Sequence, residues 1–360
     1  MPSKEETSIE LQERLQSLKD QLTAIPESLA TEHNTLKANL LLEIGKAENK
    51  AENFEDALEH LSEGLKIVGT YSSESAEFHL ETSTPYSGLS KLEEAEKEIN
   101  SAIQIFNMLQ DKVAQGKTLR QLAMVYTQQG KIEEAEKLIQ KEIEQTTATE
   151  NWVEAGKFYG LAGELASAKQ DFQIAFNHFR NGIKALKKTT DNHETIGEYY
   201  SALARLLMHF KKSQEAVHSF EDGAVQFQLA NKPLLQGAML VLAAKVWEGE
   251  GKYLLAIPSL QEAATIFQKS DEESAAMQTA DAYYQAAYLY EQEKQWENAL
   301  VHYKLALPFA EQTEDEMFIA SVEDSIEQCQ EKLQAKKPSK KKNGEAKKGL
   351  FGKIKGMFGK

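Results

Sequence analysis

The chain of 360 residues carries a net charge of −15, with 56 acidic and 41 basic residues, and an acidic surface of that kind repels phosphate, which excludes nucleic acid as the expected ligand. Its sole cysteine, Cys329, excludes an intrachain disulfide and fits a reducing, cytoplasmic compartment. Nowhere do eighteen apolar residues run together, so no membrane-spanning helix is expected.

Residues 1–29 come first. Their apolar positions Ile9, Leu11, Leu15, Leu18 and Leu22 have helical spacing, which predicts a capping helix over Glu5 to Leu22 that ends near Pro26. The segment has no apolar stretch of signal-peptide type.

Residues 30–312 are periodic. Ala57, Ala95, Ala135, Ala175, Ala216, Ala256 and Ala299 follow one another at gaps of 38, 40, 40, 41, 40 and 43 residues. Three residues before each alanine stands Phe54, Leu92, Ile132, Phe172, Ser213, Tyr253 or Trp296, and four after it Leu61, Ile99, Ile139, Phe179, Phe220, Leu260 or Tyr303. Steps of three and four trace one face of a helix, here named helix B. Seven after the anchor the residue is small in six units, with Glu142 the exception. Twelve before it the chain places Gly45, Ser83, Ala123, Gly163, Ala204, Ala244 and Ala287, on a preceding helix A. A unit of this length buries its apolar face only by stacking on its neighbours. Turns such as Gln129-Gly130-Lys131 are expected between the two helices, with Gly supplying the C-cap. In the second unit Pro85 follows Glu74 to Thr84, and a broken helix is expected there.

Residues 313–334, with Met317, Ile319, Val322, Ile326 and Leu333, are expected to form a second capping helix. Residues 335–348 are rich in Lys, Pro and Gly and read as a disordered linker. Residues 336–360 hold ten lysines and one acid, +9 in all, which leaves the rest of the chain at −24. On a helical wheel of 349–360, GLFGKIKGMFGK, the residues Leu350, Phe351, Ile354, Met357 and Phe358 fall within an arc of about 120°, opposite Lys353, Lys355 and Lys360. Each of its four glycines costs about 1 kcal/mol relative to Ala in a helix interior. The segment is therefore expected to become helical only on an inducing surface, for which an anionic membrane supplies both apolar and ionic attraction.

The repeat resembles the tetratricopeptide repeat family, best in Leu119, Leu122, Ala123, Tyr126 and Ala135, and again in Tyr283, Ala286, Ala287, Tyr290, Trp296 and Ala299. The resemblance covers roughly residues 30–334 and implies an all-α, right-handed superhelical solenoid of stacked helix-turn-helix units. The family's usual period is about 34 residues, so these units are long, as in the soluble NSF attachment proteins (SNAPs), kinesin light chains and bacterial peptide-regulated members. It also implies that partners meet the exposed faces of the A helices. Carried over unit by unit, the contact positions are Asn39, Lys46, Asn49, Lys117, Arg120, Lys157, Arg205, Lys245, Tyr284 and Tyr288. Cations and aromatics there suit an acidic or C-terminal peptide segment.

No catalytic, cofactor or metal site emerges. Gly116-Lys117-Thr118 resembles the end of a phosphate-binding loop, yet Asp111 stands at the first Gly position and a repeat helix, not a strand, surrounds it. The eight histidines show no metal-ligand spacing. The expectation is a non-enzymatic, cytoplasmic adaptor that binds a protein or peptide through its repeats and an anionic membrane through its tail. A SNAP-like role in vesicle fusion and a peptide-sensing regulator with an autoinhibitory tail are the alternatives.

Overall fold

The computed structural model describes residues 8–25, 31–272 and 274–336. Among them there is no strand, and the helices run in consecutive pairs. They are α1 (Ser8–Thr23), α2 (Thr31–Lys50), α3 (Phe54–Ile67), α4 (Ser73–Gly88), α5 (Leu92–Leu109), α6 (Lys112–Gln128), α7 (Ile132–Ala148) and α8 (Trp152–Ala168). There follow α9 (Phe172–Leu186), α10 (His193–His209), α11 (Ser213–Leu229), α12 (Pro233–Gly249), α13 (Tyr253–Phe267), α14 (Ala275–Gln292), α15 (Trp296–Ala310) and α16 (Glu316–Lys336). Even-numbered helices from α2 to α14 are the A helices and their successors the B helices. The chain divides into two compact units, the first holding α1–α11 and the second α12–α16.

The sequence period becomes a packing seam. All seven anchor alanines are 0% exposed. The residues four after them are buried in every pair, as are the small residues twelve before. A methyl or hydrogen at those points lets the A and B backbones approach, and the larger side chains fill the spaces beside them. A further small row lies nineteen before the anchors: Ala38, Ala76, Gly116, Gly156, Gly197, Gly237 and Ala280, all buried. Here the side chain eleven after the anchor comes down on the A helix, so that a Cβ on Gly197 would meet the Phe227 ring at 2.9 Å and one on Gly237 the Phe267 ring at 2.3 Å.

Every A helix passes to its B helix through the same turn. The residue five before the anchor has a left-handed backbone in all seven pairs: Glu52, Ser90, Gly130, Gln170, Lys211, Gly251 and Lys294. The next residue's N–H reaches back to a carbonyl five positions earlier, as in Lys131 to Tyr126 at 2.8 Å and Asp171 to Ala166 at 2.8 Å. This is the Schellman closure. Glycine supplies it in two of the seven turns; elsewhere a side chain is tolerated in that geometry at a cost.

The expected break at Pro85 does not occur: α4 runs unbroken from Ser73 to Gly88 with Pro85 inside it. Proline lacks the N–H that would serve the carbonyl four residues earlier, that of Glu81. Asn49 of α2 takes over, its Nδ2 donating to the Glu81 carbonyl at 3.1 Å. A partner from the preceding A helix thus satisfies the group the proline leaves open.

At the N-terminal end, Leu11 and Leu15 of α1 pack with Ile44 and Ala47 of α2. Pro26 lies outside the described residues. In the second unit α16 closes on α14 and α15 through Val322 and Cys329, both 0% exposed. Burial pushes the Cys329 thiol up to about 11, which leaves it a packing residue. Met317, expected on the buried stripe, is instead 86% exposed: Phe318 and Ile319 of the same turn pack on the cluster around Val322, which leaves Met317 on the outer side of the helix. Ala335 and Lys336, assigned to the linker from sequence, are the last residues of α16. The rest of the linker and the segment 349–360 lie outside the described residues.

Candidate partner-binding face

One helical step past the buried small row, eleven residues before the anchors, the A helices present Lys46, Thr84, Met124, Glu164, Arg205, Lys245 and Tyr288. Lys46 and Thr84 are half-buried and the other five exposed, including Met124 at 52% and Tyr288 at 43%. A step between adjacent residues of a helix is about 100°, so this row looks away from the seam.

In the first unit the candidate cations are brought together, but with carboxylates of the neighbouring A helices between them. Lys46 of α2 reaches Glu77 of α4 at 2.7 Å and Glu43 at 3.1 Å. Burial opposes its charge, yet the hydrogen bonds to Glu77 and Glu43 outweigh that and hold the ammonium above its ordinary value. Lys117 of α6 pairs with Glu81 of α4 at 3.1 Å. Arg120 of α6 pairs with Glu154 of α8, which also receives Lys157 at 3.4 Å. Burial lowers both cations from their ordinary values, Lys157 further because Arg120 is close. Asn49 is occupied at the Glu81 carbonyl. The face from α2 to α8 is thus a ladder of alternating charge, and four of its cations are engaged within the protein.

Asn39 and Arg205 stay exposed in the first unit, as does Lys245 in the second. Also in the second unit, the Tyr284 hydroxyl lies 3.2 Å from Ser321 Oγ and its ring packs edge-on against Tyr303 and Phe318. Tyr284 is therefore part of the contact with α16, whereas Tyr288, one turn on, faces solvent.

The carboxylates Glu77, Glu81 and Glu154 and the exposed Met124 belong to this face and were not among the sequence candidates. No regular pattern marked them: eighteen before the anchors the chain reads Asn39, Glu77, Lys117, Lys157, Glu198, Ala238 and Asp281, a row without alternation of charge.

The phosphate-loop resemblance dissolves in the fold. Gly116-Lys117-Thr118 is helical, Thr118 Oγ1 donates to the Ala114 carbonyl at 2.7 Å, and Lys117 is paired with Glu81. Among the described residues no group of three His, Cys, Asp or Glu side chains could hold a metal, and no helix is long and apolar enough to cross a membrane.

Paired helices with a shared seam, the same left-handed turn and an outward A-helix row define a tetratricopeptide-type repeat fold. No protein-family profile matches the chain, and no curated protein does. Solved structures do resemble it. A signal transduction ATPase with numerous domains, with a tetratricopeptide repeat sensor, from Pyrococcus horikoshii superposes with a TM-score of 0.55 at 16% identity, over 90% of this chain and 52% of that one. The apo form of the quorum sensor NprR from B. thuringiensis gives a TM-score of 0.51 at 15% identity, over 83% and 81%. BtubC from P. vanneervenii gives 0.50 at 14% identity, over 62% and 93%. At such identities the likeness is one of fold.

Proposed function

We propose that this protein is a non-enzymatic adaptor that holds a protein or peptide partner on the outward faces of its A helices and is tethered to anionic membrane by residues 349–360. The observation that carries the first half is the row eleven before the anchors, where Met124, Arg205, Lys245 and Tyr288 are exposed on helices whose neighbouring positions are buried. Exposed apolar and aromatic groups interleaved with cations are the composition of contact surfaces. In the first unit the paired cations keep the A helices in register while Asn39 and Arg205 make contacts; in the second, Lys245 and Tyr288 make theirs. An acidic segment with an apolar anchor is the partner chemistry this composition fits.

The second half rests on the sequence of the tail, whose apolar arc and lysines supply the two attractions a reversible membrane anchor needs. In this reading, the negative body and positive tail keep to different partners.

A photo-crosslinking amino acid placed singly at Arg205, Lys245 or Tyr288 in living cells tests the partner face against outward B-helix positions Ile174 and Val301, which are 50% and 54% exposed. A shared crosslinked species from the A-helix positions alone is expected. Equal labelling from both sets overturns the assignment.

A further inference from the structure

The third pair, α6 and α7, departs from its neighbours at two seam positions. Eleven after the anchor, where α5, α9, α11 and α13 carry Phe106, Leu186, Phe227 and Phe267, α7 carries Thr146. Those four large side chains are at most 4% exposed, and they fill the space above the small residue of their A helix. Seven after the anchor, where the other six B helices carry Gly or Ala, α7 carries Glu142. The plug is missing and a carboxylate stands beside the gap.

A cavity of about 490 Å³ results, lined by residues of α5, α6, α7 and the start of α8. Gly116, the small residue of α6, faces the carboxylate of Glu154 from α8 in place of an apolar plug. Glu154 is paired in charge with Arg120 and Lys157. The Glu142 carboxylate is not: the residue is 6% exposed, lines the cavity, and its side chain meets no hydrogen-bond or ion-pair partner among the described residues. Burial holds its carboxyl above the ordinary carboxylate range, against the pull of Lys141. A buried carboxylate without a partner is destabilising unless something supplies the counter-charge. At the mouth, Lys112 and Lys141 are exposed, and Gln115 adds an amide. Negative charge at the floor and positive charge at the rim match a ligand with a cation at its far end and a carboxylate at its near end.

We propose that this cavity binds a basic amino acid, free or as the C-terminal residue of a peptide, with its guanidinium or ammonium group on Glu142 and its carboxylate between Lys112 and Lys141. The site touches the A-helix face only through Glu154, which lines the cavity, and its occupancy would set how α7 packs on α6.

Isothermal titration of the full chain with L-arginine, with agmatine, which lacks the carboxylate, and with the tripeptide Gly-Gly-Arg tests this. Arginine or Gly-Gly-Arg is expected to bind, the tighter of the two identifying the source, and agmatine at least tenfold more weakly. Glu142→Gln should weaken binding tenfold or more. Thr146→Phe, which restores the plug of the neighbouring pairs, should abolish it while melting at or above the wild-type temperature. Should Thr146→Phe not fold, Glu142→Gln and the milder Thr146→Leu carry the test. Absence of binding by all three probes at 10 mM, or unchanged binding in Glu142→Gln, would overturn the proposal and leave the cavity a packing defect.

Discussion

Glu48 of α2, 0% exposed, lies 2.9 Å from the Nδ1 of His60 on α3. The same carboxylate receives Lys19 of the capping helix α1 at 2.9 Å, so one buried acid joins α1, α2 and α3. The hydrogen bond that His60 donates to Glu48 raises the His60 pKa above its ordinary 6.5, against burial. A histidine raised in the folded state stabilises fully below the unfolded value near 6.5 and loses that contribution as pH climbs through the raised value. Urea midpoints of wild type and His60→Gln, measured between pH 6 and 9, should therefore converge as pH rises. A gap that stays constant or widens would contradict the pairing.

The seven A-to-B turns make a graded series. Gln170 and Lys211 hold left-handed backbones with φ of 64° and 58°, a region costing a side chain of L configuration roughly 1 kcal/mol that glycine avoids. Gln170→Gly and Lys211→Gly should each stabilise by about 0.5–1 kcal/mol in urea unfolding. Gly251→Ala, at φ 70°, should destabilise by about 1–2 kcal/mol.

Asn49 and Pro85 should be coupled. Asn49→Ala leaves the Glu81 carbonyl without a donor, a loss of about 1–2 kcal/mol. In a Pro85→Ala background the restored N–H can serve that carbonyl, and the cost of Asn49→Ala should fall by at least half. Equal costs in both backgrounds would show that the Asn49 contact does not compensate the proline.

The row nineteen before the anchors is set by contact with the B helix. Gly237→Ala, whose Cβ would meet the Phe267 ring at 2.3 Å, should destabilise by about 1–3 kcal/mol through overpacking. Gly249→Ala, with nothing within 4 Å, should be neutral or slightly stabilising. Differential scanning calorimetry separates the two.

What was legible in the sequence follows from what each position must satisfy. The anchor alanines and the small row twelve before them answer to steric contact, which admits few residue types, and their period survives in the chain. The row from Ala38 to Ala280 obeys the same rule and was equally readable, but small residues are common in helices and only the contact with Phe227 or Phe267 distinguishes it. Pro85 misled because a lone proline predicts a break, while its rescue by Asn49 is a contact between helices 32 residues apart in the pair Asn49–Glu81. The ion-pair ladder was illegible for a related reason. In a chain with 56 acidic residues, the glutamate facing Lys46 or Arg120 is chosen by the register of neighbouring A helices, which no local pattern encodes. Glu142 was visible as the odd residue of its row, though the cavity beside it also required Thr146.

We propose that body and tail are separate devices, the repeats for a protein partner and residues 349–360 for an anionic membrane. Flotation with phosphatidylserine-containing vesicles tests it most directly, using the full chain and the double variant Phe351→Ser, Phe358→Ser. The full chain should float and the variant should stay below, with the thermal unfolding of the body unchanged. Equal flotation of the two, or a lowered melting temperature in the variant, would contradict the claim and make the tail part of the repeat body.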